Sequence, residues 1–375
     1  MDRWGHIDLF CGPGGFSTGL EAVGFETLAA IDFHIPSAAT FSRNHPSAVM
    51  IRGDIREVST ERVRAAMLDR SIELITAGVP CEGFSMSNRN RNKFLDERSF
   101  LFLEFLRFVE AFMPPYIVLE NVSALTRSAK GFWAAAISEG MERLGYRVRM
   151  RVLDALNYGV PQRRRRVFFV GSLAGWPWQW PLPTHGEGPG LLPVVTVADA
   201  IGDLPPLGAG EDAHEYTGPP HSVYAIEIRG ECSTLTNHHA PFHPPATVEK
   251  IARTSPGEPM YPRFKQRIRL HPNRPSPTLV SGGIRPQFHY GHPTQARGMT
   301  IRERARIQSF PDTYYFEGGI VQGRVQTGDA VPPRLAAAIG REISRGLSLG
   351  PTEETNDELV TAGIVPLFTE FERAE

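Results

Sequence analysis

Over its first 170 or so residues this chain alternates short apolar runs with amphipathic stretches, and that alternation limits its fold more than any other feature. The apolar runs are Ile7–Phe10, Thr27–Ile31, Val49–Ile51, Ile72–Ala77, Tyr116–Leu119 and Val167–Val170. Helical stretches fall between them, near Phe16–Ala22, Ala38–Arg43, Glu61–Leu68, Phe100–Phe112 and Phe132–Leu144. Strands separated by helices make crossover connections rather than hairpins, so the pattern predicts an α/β fold with a doubly wound, mostly parallel sheet. Phe100–Phe112 is apolar nearly all round. Its polar positions, Glu104, Arg107 and Glu110, form one narrow stripe. Such a helix should be sandwiched rather than lie on the surface.

At 375 residues the chain exceeds what one core usually supports. Its texture changes near Trp176, and from there to about Pro293 it is rich in Pro, Gly and His with little helical periodicity. Helical signals return at Thr300–Ile307 and at Pro333–Leu347, where Leu335, Ala338, Ile339 and Ile343 would pack on a sheet. The expected division is a first domain of residues 1–185 and 322–349, a second loop-rich domain with its hinge at 186–321, and an acidic tail at 350–375. No apolar run of about 18 residues is present, so no membrane span is expected. Residues Met1–His6 lack the basic start and apolar stretch of a secretory signal. Cys11, Cys81 and Cys232 show no CxxC pairing; they fit a reduced cytoplasm, and neither a disulfide framework nor a metal site is expected.

The segment Ile7–Phe16 reads as a strand, a Gly-rich turn and a helix start. Glycines let a backbone pass close to a ligand that the helix N-terminus then faces. A dinucleotide fingerprint fails, because Gly12 and Gly14 match but the sixth position is Ser17. Asp32 ends the second strand and could bind ribose hydroxyls, Phe33 could stack on an adenine, and Asp54 could accept from the adenine amine. Each carboxylate taken singly is equally well a turn or cap residue. Their places at successive strand ends favour a nucleoside.

The fourth strand leads into Val79-Pro80-Cys81-Glu82-Gly83-Phe84-Ser85, which sets a thiol on a Pro-rigidified turn. The plainer alternative is a buried structural cysteine. The next strand ends in Glu120-Asn121-Val122, although a solvated turn carboxylate would look the same. Gln162-x-Arg164-x-Arg166 precedes Val167, and alternation along a strand would point all three side chains one way. Thiolate addition to C6 of cytosine makes C5 nucleophilic toward a methyl donor. A carboxyl group on the base edge and an arginine at O2 would stabilise the activated ring.

In order and content these motifs resemble those of the bacterial DNA (cytosine-5) methyltransferases. Asp8 to Gly15, Pro80-Cys81, Glu120-Asn121-Val122 and Gln162-x-Arg164-x-Arg166 are followed by Arg274-Pro275-Ser276-Pro277-Thr278, Arg302-Glu303, Gln308-x-Phe310-Pro311 and Gly328-Asp329-Ala330-Val331-Pro332-Pro333. The likeness spans roughly residues 7–175 and 265–346. It implies a Rossmann-like sheet bound to S-adenosyl-L-methionine (AdoMet, leaving S-adenosyl-L-homocysteine) and a target-recognition domain. Catalysis would fall to Cys81 as nucleophile, with Glu120, Arg164 and Arg166. Asp8, Phe10, Gly12, Gly14, Gly15, Phe16, Asp32, Phe33, Asp54, Ile55, Pro80, Asp329, Ala330 and Val331 would line the cofactor site. Ser85, Arg89, Arg91, Lys93 and Gln162 would meet a double-stranded DNA whose target base is flipped out. The implied protein is a monomer of the bacterial cytoplasm, associated with DNA, with a cognate restriction endonuclease as a candidate partner.

Two positions depart from the family pattern. Asp329 stands where relatives carry Asn, and Asp32 where they often carry Glu. The formal net charge of −1 is no signature of a nucleic-acid binder. Basic residues nevertheless gather at Arg89, Arg91 and Lys93, at Arg163 to Arg166, and at Arg263, Lys265, Arg267 and Arg269. A charge run is most often a solvated face. An RNA cytosine methyltransferase of the same fold is the nearest alternative, disfavoured by the long central region. A Rossmann oxidoreductase and a non-catalytic homologue are the others.

Overall fold

The computed structural model describes residues 3–67, 70–80, 100–281 and 290–352. Strands β1 (Trp4–Leu9), β2 (Phe25–Asp32), β3 (Val49–Arg52), β4 (Leu74–Gly78), β5 (Tyr116–Val122), β6 (Tyr146–Asp154) and β7 (Arg165–Leu173) form one sheet in the order 3-2-1-4-5-7-6. The first five are parallel, while β7 runs antiparallel to both β5 and β6. The doubly wound expectation therefore holds, with a reversed pair added at one side. β6 was not expected. Its outward positions are Arg147, Arg149 and Arg151, all exposed, because β6 is an edge strand and only its inner neighbours need be apolar.

Helices cover both faces. On one side, α4 (Leu101–Phe112) and α5 (Phe132–Arg143) bury Phe102, Phe105, Phe108, Trp133 and Ile137 against Ile7, Ile75 and Ile117. In α4 only Glu110 is exposed, and Glu104 and Arg107 pair at 2.7 Å, so the sandwiched helix is as expected. On the other side lie α1 (Gly15–Glu21) and α11 (Pro333–Leu349), joined by Leu20, Leu335, Ile339 and Ile343. The two helices are in close backbone contact: a Cβ on Gly19 would run into the Pro333 carbonyl and lie 2.7 Å from Ala336 Cβ. The first sheet neighbour, α2 (Ile35–Asn44), follows β2, and α3 (Thr60–Ala66) follows β3.

Because β7 is reversed, the chain leaves it at the edge of the sheet opposite the strand mouths. Residues 176–184 then climb back alongside β6. Tyr116 Oη donates to the Pro177 carbonyl at 2.7 Å, Arg149 to that of Trp178 at 3.1 Å, and Tyr158 Oη to that of Pro181 at 3.1 Å. Thr184 N–H then reaches Asn157 O at 2.9 Å.

Beyond this segment, short helices α6 (Val197–Ile201), α7 (Val223–Arg229) and α8 (Pro245–Arg253) and long loops enclose a separate core of Val197, Ile201, Tyr224, Leu235, Leu270 and Tyr290. These helices are too brief and too broken by Pro and Gly to show periodicity. The helix α9 (Ile301–Ile307) is buried along its whole length, three arginines included. Arg302 donates to the Thr236, Pro311 and Tyr314 carbonyls. Arg304 donates to Thr327 and to the Val280 and Arg324 carbonyls. Arg306 lies between Asp203 at 2.5 Å and Asp312 at 2.6 Å. A capping box of Thr300 and Glu303 starts α9, and Arg297 pairs with the same Glu303 at 2.6 Å. α10 (Gly319–Asp329) completes the order before α11.

Candidate active site

In an open α/β sheet, ligands bind outside the carboxyl ends of the strands where the winding reverses. Here that point lies between β1 and β4. After β1 the backbone takes left-handed conformations at Phe10 (φ 54°), Gly12 (φ 54°) and Gly14 (φ 92°). A Cβ on Gly12 would meet nothing within 4 Å, which leaves open space above the turn. A Cβ on Gly15 would collide with the Val331 carbonyl, and one on Gly14 would press on Tyr314 and His45. Gly12 thus leaves room for a ligand, whereas Gly14 and Gly15 allow close packing behind it.

Asp32 organises this turn. Its carboxylate accepts from Gly12 N–H at 2.7 Å and from His34 N–H at 2.8 Å. Burial pushes its carboxyl up, and the two backbone donors pull it down. Phe33, between these partners, is 68% exposed, a free aromatic face at the rim. Asp54 caps the turn Ile55–Glu57 through Arg56 N–H and pairs with the Arg56 guanidinium at 2.6 Å, so the cap reading of this residue is realised.

Several residues expected at the cofactor are buried. Asp8 is fully buried, and Ser17 Oγ (2.7 Å) and Thr76 Oγ1 (3.0 Å) occupy its two oxygens. It fastens α1 and β4 to β1 instead of reaching the pocket. Phe16 and Ile55 point into the core; Phe16 meets Phe168 edge-on at 6.4 Å. Ala330 and Val331 are buried as well, and they shape the pocket by backbone: the Ala330 carbonyl accepts from Gln308 and the Val331 carbonyl covers Gly15. Pro80 and Phe10 remain half-buried at the mouth.

At the next mouth, Glu120 lies two residues before the end of β5 at Val122. Because β7 is antiparallel, its first residues lie beside the last residues of β5, with Arg166 opposite Val122 and diagonal to Glu120. Arg166 Nε lies 3.0 Å from Glu120 Oε1. That oxygen is buried, and Arg166 is the cation that faces it. Burial pushes the Glu120 carboxyl up, against the pull of Arg166 and Arg164. Asn121 has a structural role that its motif does not reveal. Its Nδ2 donates to the Val79 carbonyl at 3.2 Å and so ties the chain entering Pro80 to β5.

The three side chains of Gln162-x-Arg164-x-Arg166 do not point together, because β7 begins only at Arg165. Gln162, expected at the DNA, is fully buried: its amide donates to Gln308 and its carbonyl accepts from Leu279 N–H at 2.8 Å. Arg164, expected at the base, is 1% exposed and donates to the carbonyls of Leu279 at 3.1 Å and Asp329 at 3.5 Å. Both hold the seam to the C-terminal motifs. In the Arg263–Arg269 run, Arg269 is likewise not a surface charge; it donates to the carbonyls of Ile251, Ala252 and Thr254 at the end of α8. Arg163, Arg165, Arg263 and Lys265 are exposed. Cys81, Ser85, Arg89, Arg91 and Lys93 lie outside the described residues. Of the other cysteines, Cys11 is buried with its thiol pushed well up, which suits no nucleophile.

Open space over Gly12, the exposed Phe33 face and the Asp32 turn, set at the switch point of the sheet, make the arrangement of a nucleoside-binding α/β protein. Known proteins narrow the class. A family model described as C-5 cytosine-specific DNA methylase matches residues 5–345, and the chain belongs to that family. It is 35% identical to the Type II methyltransferase M1.HphI of Haemophilus parahaemolyticus, over 90% of this chain and 86% of that one. It is 32% identical to M.DdeI of Desulfomicrobium norvegicum, over 90% and 88%. Among solved structures, a prophage-encoded DNA modification methyltransferase of E. coli has the same fold, with a TM-score of 0.78 and 24% identity over 92% of this chain and all of that one. Among the described residues no helix is long and apolar enough to cross a membrane.

Proposed function

We propose that this chain methylates C5 of a cytosine flipped out of a specific double-stranded DNA sequence, through a covalent bond between Cys81 and C6. The observation that carries the reading is Glu120: a buried carboxyl group charge-paired to Arg166, beside the chain that leads through Pro80 to Cys81. Gly12, Asp32, Phe33 and Asp329 would hold AdoMet, which supplies an electrophilic methyl group when bound.

The chemistry assigned to the chain follows from these groups. The Cys81 thiolate adds to C6, and the ring's electron pair moves to C5. Glu120, its carboxyl pushed up by burial, is suited to share a proton with N3 as that charge develops. Arg166 holds Glu120 in place and offers a cation to the base edge. Once C5 is methylated, loss of the C5 proton and elimination of the thiolate restore the ring. The residues 1–185 and 322–349 would carry this chemistry. Residues 186–321, with a core of their own, would read the duplex, which supports DNA over RNA. The exposed Arg163, Arg165, Arg263 and Lys265 are suited to phosphates. We place the protein in the bacterial cytoplasm as a monomer, working alone or beside a restriction endonuclease that shares its site.

Bisulfite sequencing of DNA treated with the pure protein and AdoMet tests the whole reading. Protected cytosines should fall in one short sequence context, and Cys81→Ala should abolish them. Full protection by Cys81→Ala, or methylation of tRNA in preference to duplex DNA, would overturn it.

A further inference from the structure

The rim of the pocket carries a carboxylate where the family pattern has an amide. Asp329 ends α10, and its surroundings fix its backbone from three sides. The Arg164 guanidinium approaches its carbonyl at 3.5 Å. The preceding Gly328 lies so close to Val280 and Ser281 that any side chain there would strike their backbone. The following Ala330 and Val331 are locked by Gln308 and against Gly15. Asp329 is exposed at the end of α10, with protein on enough sides that desolvation still acts on its carboxyl.

Its charged neighbours come from both adjacent strand mouths. Arg164, Arg166 and His34 pull its carboxyl down and Ser281 hydrogen-bonds to it, while burial, the largest influence, pushes it up. In return, its charge pushes up both Asp32 and Glu120. Asp32 lies on the cofactor side and Glu120 on the base side.

Resting on the AdoMet reading above, we propose that Asp329 selects the cationic sulfonium of AdoMet over the neutral thioether of S-adenosyl-L-homocysteine, so that the pocket holds the methyl donor more tightly than the spent product. The two molecules share adenine, ribose and amino-acid groups, so Phe33, Asp32 and the turn bind both alike. They differ by one methyl group and one positive charge. A formal negative charge at the rim discriminates on that difference, where a neutral amide offers only a dipole. Weaker product binding would speed release after each transfer.

Calorimetry on the full chain without DNA tests this, using AdoMet, S-adenosyl-L-homocysteine and sinefungin, whose amine supplies a positive charge in place of the sulfonium. The native protein should prefer both cationic ligands to the neutral one. Asp329→Asn should reduce that preference on the order of tenfold, and Asp329→Glu should keep it. Asp329→Ser serves as a second neutral variant should the amide fail to fold. A neutral variant that weakens all three ligands equally, or leaves the preference intact, overturns the proposal while leaving the AdoMet pocket standing. If none of the three ligands binds the native protein, the pocket reading falls and the proposal with it.

Discussion

Arg306 offers the sharpest test of how the proposed recognition region is held. Its guanidinium has no exposure and lies between two carboxylates that are almost as inaccessible, Asp203 and Asp312. Nε and Nη2 grip Asp312 at 2.9 and 2.6 Å, and Nη1 reaches Asp203 at 2.5 Å and the Ala200 carbonyl at 3.0 Å. Arg306→Met keeps most of the volume and removes the charge. The two acids are then left unequal. Asp312 retains Tyr216 Oη at 2.6 Å and Arg302 at 3.6 Å, whereas among the described residues Asp203 retains only His221 at 3.9 Å as an ion-pair partner. Removing one partner of a buried pair costs about 3–5 kcal/mol. The loss should appear in chemical denaturation at pH 7.5 as an earlier transition of the 186–321 region. Adding Asp203→Asn to Arg306→Met should restore at least about 1 kcal/mol, because it neutralises the stranded charge. A loss below about 1 kcal/mol, or a double variant less stable than the single, would refute this account.

Glu120→Gln keeps the shape but cannot share a proton with N3. Single-turnover methyl transfer should slow about 10²–10³-fold with AdoMet affinity unchanged, and a loss under tenfold would count against the role. Burial holds His243 and His292 at about 4 and His6 at about 3, so all three are neutral in the folded protein. Unfolding lets them take up protons below about pH 6.5, so stability should be complete above that pH and fall toward pH 4. Asp8, pushed up to about 6, works in the opposite sense and offsets His6 over much of this range, leaving His243 and His292 to set the slope. Thermal melts across pH 4 to 7 measure it, and a flat profile would contradict the assignment. Gly19→Ala should force α1 from α11 at a cost of about 1–3 kcal/mol and weaken AdoMet binding, since Gly15 and Val331 move with those helices; an unchanged melt would show that the contact can relax.

Much of the sheet was legible because buried parallel strands are nearly continuous apolar runs, as Ile72–Ala77 and Tyr116–Leu119 are. β6 was not, because arginines on an edge strand look like loop. Glu120 and Arg166 could be named from their motifs, but only the antiparallel register shows why residues 46 positions apart become neighbours. Arg164 and Gln162 were misplaced for a related reason: alternation holds inside a strand, and both precede β7. The buried arginines of α9 defeat sequence reading altogether. Arginine is normally a surface residue, and nothing local announces that Asp203, Asp312 and a ring of carbonyls will surround it.

The return segment of residues 176–184 has a consequence for how such a protein can change its target. Reversing β7 sends the chain away from the catalytic mouth just before the proposed recognition region begins. The region must therefore be delivered back across the full height of the sheet. The proline- and tryptophan-rich stretch that does so is pinned near its start by Tyr116 and near its finish by Tyr158 and Asn157. It acts as a spacer of set length, with little slack to absorb an insertion or deletion. Diversity in what the enzyme reads should accumulate beyond Thr184, while this stretch keeps its residue count, so that every new reading head arrives at the same height above the chemistry.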